Sequence, residues 1–462
     1  MKGYPRRGAY RCSLAYNTSP TRVKLIATAQ LYRLTRVRCG SNIGGMFNRR
    51  LFTILSIVFV QIAGASLILP LLPLFAERQF NLNPTEVSLL VSSFFIAQFF
   101  AGPLLGQLSD RYGRIPLLII SQLGSAASFL LMAVAGSAWL LFAARVVDGI
   151  TGGNIIIAQA YVTDITPGEK RTEAFGYIFA AFGIGFIIGP ALGGLLSAWF
   201  GARFPFIVAG VAALVTAAMC LLLEETVQPG KVAPVSPGSL VQAPRPTLSA
   251  HPPVIRLSPV QVMQNSSLLL VMVVGFTSQF GLGMLQATFA LYAAATLFPR
   301  AGINATNLGV GLLLAVVGLG QFVTQTWLIR PLKERFGDAR LVILGTLLRA
   351  TALVIYAVVT SPWLAAAGSL FFAVGMGLTM PPLQTLATRT VDESLRGGVL
   401  GVFQSAVSLA IIFSTAIAGV IFSAGATLPY WSGAILSLAG ILPALSVMRR
   451  SSQEVLAPSP AD

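Results

Sequence analysis

GQLSDRYGRIP, Gly106 to Pro116, is a charged hook between two walls that carry no charge. LLVSSFFIAQFFAGPLL precedes it and LLIISQLGSAASFLLMAVAG follows it. Asp110, Arg111 and Arg114 are therefore confined to one short turn between two stretches long enough to cross a bilayer, which takes about 20 apolar residues. The walls recur along the chain. Twelve charge-poor runs can be read at 51–75, 86–108, 116–136, 138–163, 174–199, 203–223, 266–298, 307–329, 340–360, 362–388, 398–424 and 426–448. Only 10% of the 462 residues are charged and 55% are hydrophobic, whereas soluble domains carry about 25% charged residues. A chain so poor in charge cannot cover a water-exposed surface, so the expected fold is an all-α membrane protein of twelve transmembrane helices.

The same composition excludes several functions. The three cysteines, Cys12, Cys39 and Cys220, have neither metal-site nor disulfide spacing, and the single histidine, His251, lies among prolines. No metal, cofactor or catalytic cluster is expected, and no phosphate-binding loop is present, so pumping would have to draw on an ion gradient. The net charge of +16 invites a nucleic-acid reading, but nine of the cations fall within residues 1–45, which hold no acid. That segment lacks the apolar core of a secretory signal. It is expected to be a disordered basic extension, either resembling a transit peptide or lying upstream of a natural start at Met46. No nucleic-acid partner is expected.

The remaining cations set the orientation. With a cytoplasmic N-terminus, the even-numbered loops and the C-terminal end hold fifteen Lys and Arg, and the odd-numbered loops hold Arg78, Arg203 and Arg300. Cytoplasmic loops carry the excess of basic residues, so both termini and the hook are expected in the cytoplasm. Residues 225–265, rich in proline, read as a linker. They separate a six-helix bundle at 46–224 from another at 266–450, leaving a tail at 451–462. The halves also repeat. SDRYGR at 109–114 matches KERFGD at 333–338, and TDITPGEKRTEAFG at 163–176 matches RTVDESLRGGVLG at 389–401, at offsets of 224 and 225. Paired six-helix repeats place a binding site at their interface near the middle of the membrane.

At this point a resemblance emerges. GQLSDRYGR fits the G-x-L-x-D-R-x-G-R signature of the major facilitator superfamily, LLFAARVVDG resembles its fourth-span signature around Arg145, and GFIIGPALGG fits the fifth-span signature of its antiporters at Gly185, Gly189, Pro190, Gly193 and Gly194. Together they resemble the drug/proton antiporters, and the tetracycline exporters especially, over about 46–450. The resemblance implies a multi-pass carrier of the cell inner membrane, expected to be a monomer, that exports small molecules in exchange for protons by alternating access. An uptake carrier or uniporter for a small metabolite is the other reading. The resemblance also implies a cytoplasmic latch at Gly106, Asp110, Arg111, Gly113 and Arg114. Lys170 and Arg171 are its candidate partners, and Glu334, Arg335 and Gly337 form a second, weaker copy in which Asp338 stands in place of Arg114.

Charges within spans are costly and face cavities or partners. Arg145 and Asp148, three apart on one helix face, are read either as a structural ion pair or as a proton-exchanging carboxylate with its modulator. The antiporters resembled place an acid in the first span, but here LFTILSIVFVQIAGASLILPLLPLFA has none. Either Asp148 carries the coupling, or Asp164 near the cytoplasmic end assists, or coupling is weak or absent. Arg349 in the ninth span has no assigned role. By the family's arrangement, spans one, four, seven and ten line the cavity, with Gln61, Asn154, Gln159, Gln279, Gln286 and Gln384 as candidate substrate contacts among Phe and Met. Such a pocket suits lipophilic or weakly cationic compounds.

Overall fold

The structure, a computed structural model, describes residues 49–166, 171–226, 264–391 and 396–456. The basic extension at 1–45, Met46, nearly all of the linker and the end of the tail lie outside these residues. Within them the chain is helical, and no strand occurs among the described residues.

Among the described residues, ten helices are long and apolar enough to cross a membrane. One of these, Ile303–Val358, runs for 56 residues, about twice what a bilayer needs. It is broken at Gly337, where φ is 76° and ψ 166°, so it supplies an eighth span and a ninth. Phe204–Cys220 is a shorter apolar helix and forms the sixth. The spans are then Arg49–Phe80, Pro84–Tyr112, Arg114–Val134, Ala138–Ile165, Gly176–Phe200, Phe204–Cys220, Ser266–Leu297, the two halves of Ile303–Val358, Pro362–Arg389, Gly398–Ala424 and Leu428–Arg449. This is the twelve-helix fold expected from the apolar runs.

Local chemistry sets where the helices start and stop. Asn83 opens the second span through a capping box: its side chain accepts from Glu86 N–H at 2.9 Å, and its own N–H donates to the Glu86 carboxylate at 2.8 Å. The hook reverses at Gly113, whose φ of 106° is a conformation that only glycine adopts freely. Gly106 takes no part in the reversal; it lies inside the helix Pro84–Tyr112. The first and fourth spans each have a break. Leu69–Pro70 separates Arg49–Ile68 from Leu71–Phe80, and Gly152–Gly153 separates Ala138–Thr151 from Asn154–Ile165.

The two halves meet through small residues. The fifth span packs along the eighth and the second along the eleventh. A Cβ on Gly194 would lie 2.7 Å from Asn307 O, and one on Gly318 would lie 2.6 Å from Phe186 O. Asn307 Nδ2 also donates to Ser197 Oγ at 2.8 Å. At the start of the second span Ser88 and Ser92 reach the carbonyls of Ala416 and Ile412 in the eleventh, and Gly419 abuts Pro84 and Thr85. These contacts close the membrane face opposite the hook.

A side chain at such a contact must push backbone apart, which costs about 1–3 kcal/mol in a packed interior. Gly311, whose Cβ would be driven against the Pro190 carbonyl and to within 3.1 Å of Gly194 Cα, is a position of this kind. Gly311→Val is expected to lower the thermal unfolding midpoint in detergent, read by tryptophan fluorescence. Gly106→Ala, in a helix with nothing within 4 Å of the new methyl, is expected to leave it unchanged or raise it; equal losses in both variants would refute the packing account.

Candidate functional site

A cavity of about 260 Å³ opens among the first, second, third, fourth and fifth spans. Its apolar wall includes Phe94, Phe95, Phe129, Phe182 and Phe186, and its polar members include Gln61, Gln98, Gln122, Ser125, Arg145, Asp148 and Gln286. Gln286, from the seventh span, is the second half's contribution to that lining. The discontinuity of the fourth span reaches the wall as well: Gly152 and Ile155 line it, and Gln98 Nε2 donates to Gly152 O at 3.1 Å.

The two charges are held on one helical face. Arg145 Nη1 donates to Asp148 Oδ2 at 2.9 Å, and both side chains are buried. The guanidinium lies over the Phe94 ring, 4.4 Å from its centroid, a favourable cation–π placement. Ser125 of the third span lines the same cavity. A buried pair of this kind is retained only with good geometry, and losing either partner strands the other charge.

The sequence candidates divide. Gln61, Gln286, Arg145 and Asp148 reach the cavity together. Asn154 is fully buried with both amide atoms unpartnered, and Gln279 is buried with its Oε1 unpartnered; neither lines the cavity. Gln159 and Gln384 are half-buried and also off the wall. The sequence reading missed Gln122, a fully buried amide whose Nε2 donates to Gln61 Oε1 at 2.7 Å and whose Oε1 accepts from Thr216 Oγ1 at 3.0 Å. A lone amide in the charge-free third span was the signal available. Arg349 has a place too. Its guanidinium donates to the Ser278 hydroxyl and carbonyl and stacks 5.1 Å from the Phe372 ring centroid, tying the ninth span to the seventh and tenth.

Asp164 lies with the hook, apart from Asp148. There the centre is Arg114, nearly buried, whose guanidinium bridges Asp110 at 2.5 Å, Asp164 at 3.1 Å and Ser109 Oγ at 2.7 Å. Asp110 pairs with this cation of its own turn. The helix N-terminus behind Gly113 is taken instead by Glu225, which the sequence reading assigned to the linker. Its carboxylate accepts from the N–H groups of Arg114 and Ile115, both at 2.9 Å, where the helix dipole favours a negative charge. A Cβ on Gly113 would come within 2.6 Å of that carboxylate. Thr226 Oγ1 adds a bond to Asp164 at 3.0 Å. Arg111 is exposed and lies over Tyr112. Lys170 and the side chain of Arg171 fall outside the described residues.

The second copy keeps the geometry and inverts the charge. Glu334 and Arg335 are outside it: Glu334 pairs with Arg330 at 3.5 Å on the surface and Arg335 lies over Phe336. The buried member is Asp338, one residue past Gly337, which takes Lys333 at 3.0 Å and Arg389 at 3.2 Å. A cation holding two carboxylates in the first half thus corresponds to a carboxylate holding two cations in the second.

The fifth-span motif faces two neighbours. Gly185, Gly189 and Gly193, four apart, lie against Ile62, Ser66 and Leu67 of the first span. Gly194 and the Pro190 carbonyl lie against the eighth, at Asn307 and Gly311. Ser66 Oγ also donates to Gly185 O at 3.0 Å.

Twelve spans in two repeats, a cavity within the first half that Gln286 of the second half reaches, and charge clusters at the corresponding hooks define a membrane carrier built from duplicated halves. The model of the Major Facilitator Superfamily matches residues 54–303 and 284–461, and the chain belongs to that superfamily. It is a secondary transporter and not an enzyme. It is 32% identical to the tetracycline resistance protein, class C, of Escherichia coli over 88% of this chain and 98% of that protein. It is 26% identical to multidrug resistance protein 2 of Bacillus subtilis over 84% and 92%. Among solved structures, the nucleoside transporter NupG is similar in fold, with a TM-score of 0.71 at 12% identity over 87% of this chain and 99% of that one.

The buried position of Asp338 generates a prediction. Asp338→Asn leaves Lys333 and Arg389 without their shared counter-charge, whereas Glu334→Gln removes only an exposed ion pair, typically worth under 1 kcal/mol. At matched membrane levels, transport is expected to fall about tenfold in Asp338→Asn, about 1.4 kcal/mol, and to change less than twofold in Glu334→Gln. The reverse order would refute the assignment of Asp338 as the second hub.

Proposed function

We propose that this protein is a proton-coupled exporter of amphipathic drugs or drug-like metabolites. It would work as a monomer in the cell inner membrane, with both termini cytoplasmic and without nucleic-acid partners. The observation that carries the reading is the buried Arg145–Asp148 pair on the wall of a largely apolar cavity. Likeness to the tetracycline and multidrug resistance proteins supports the direction and the class of cargo.

In this mechanism Asp148 is the proton carrier. While Arg145 holds it, the carboxylate stays ionised; when substrate or rocking of the halves turns the guanidinium away, the desolvated carboxyl takes up a proton. Gln61, the first span's polar member on the cavity wall, is an amide and has no proton to give. Asp164 belongs to the hook and acts as part of the latch. With the termini inside, the face closed by the second and eleventh spans and by the fifth and eighth is the outer one, so the cavity opens inward, ready to load cargo for export. Return to the outward state brings together the two hooks, whose hubs carry opposite charge.

The test uses purified protein in inside-out vesicles with a fluorescent ΔpH probe and a panel of tetracycline-like compounds and lipophilic cations. Substrate-triggered proton release by wild type, lost in Asp148→Asn, is expected. Transport without proton movement in either protein would make the chain a uniporter and return Asp148 to a structural role.

A further inference from the structure

Gln61 and Gln286 lie 225 positions apart, the offset that relates Asp164 to Arg389 in the two hooks. They lie on the first span of each half, within one residue of the 224 that relates Arg114 to Asp338. Both line the cavity. Gln159 and Gln384 share the offset but do not reach the cavity wall.

We propose that Gln61 and Gln286 form a two-sided amide clamp that reads a hydrogen-bonding edge of the cargo, one that carries an adjacent donor and acceptor on a flat apolar body. A carboxamide has this edge. The inference rests on the transport reading above and names what the cavity selects.

Three features support the clamp. Gln286 Oε1 is buried and has no hydrogen-bond partner; leaving such an atom unpaired is costly, and a ligand donor removes that cost. Gln61 is held in place from behind, because Gln122 bonds its Oε1, and Thr216 of the sixth span bonds Gln122. Thr216 Oγ1 also lies 2.8 Å from Ala213 O. When its single proton goes to that carbonyl, the hydroxyl accepts from Gln122 and both amides turn over. Gln61 can thus show the cavity a donor or an acceptor, whichever the cargo needs, while Gln286 supplies the counterpart. Finally, Arg145 and Asp148 neutralise each other, so the edge that the amides read need carry no charge. A ligand held by both amides bridges the two halves, and binding is coupled to their rocking. Gln122 and Thr216 are positioning residues in this scheme.

The test is counterflow in proteoliposomes at equal pH on both sides, using a radiolabelled planar aromatic carboxamide and its N,N-dimethyl analogue, which lacks the donors. Wild type is expected to exchange the carboxamide with a KM about tenfold lower, the value of roughly one hydrogen bond. Gln286→Leu and Gln61→Leu should each raise the carboxamide KM about tenfold and erase the preference. Thr216→Val should raise KM by a smaller factor. Gln286 has no packing relay, so its variant reports even if Gln61→Leu misfolds. A preference kept in Gln286→Leu overturns the clamp. If wild type exchanges both compounds equally and still releases protons, the clamp is wrong and the exporter reading stands; if it exchanges neither and releases none, both fall.

Discussion

Putting a charge into hydrocarbon is expensive, and the layout of this protein follows from where that expense is accepted. Among the described residues, nearly every Lys, Arg, Asp and Glu sits near a helix end or in a loop, and three are buried at depth: Arg145, Asp148 and Arg349. Arg145 and Asp148 compensate each other at the cavity. Arg349 is compensated differently, by a hydroxyl, a carbonyl and an aromatic face, and serves to join three helices. One intramembrane charge pair faces the transport path, and one lone cation holds the second half together.

The hooks show what duplication preserves. Each has a glycine with positive φ, a buried charge immediately after it, a partner in the same turn and a partner at the end of the fourth or tenth span. The sign of the charge is free to invert, because the constraint is neutralisation of a buried group and not its polarity. Opposite signs at the two hubs also give the halves complementary ends. The linker is drawn into the first hook from its first residues, since Glu225 and Thr226 complete the cluster there.

Small residues do the rest. Lipid is as apolar as leucine, so helices associate through close backbone approach and not through burial of apolar area. The fifth-span motif supplies a glycine face for the first span and a second one for the eighth, and so joins the halves on the side away from the hooks.

Much of this was legible in the chain itself. Twelve apolar runs, the repeat offset and the signatures around Asp110, Arg145 and Gly189 determined the fold and the family, because hydropathy length and glycine placement are local properties that hydrocarbon enforces residue by residue. Only the tertiary structure decided the partners. It placed Asp164 beside Arg114 and not Asp148, put Glu225 at a helix N-terminus across more than a hundred residues, replaced Glu334 by Asp338 as the second hub, and left Asn154, Gln159, Gln279 and Gln384 off the cavity while bringing Gln122 behind Gln61. A sequence gives the face a side chain shares with its own helix, but which neighbouring helix meets that face depends on the breaks and crossings of all twelve.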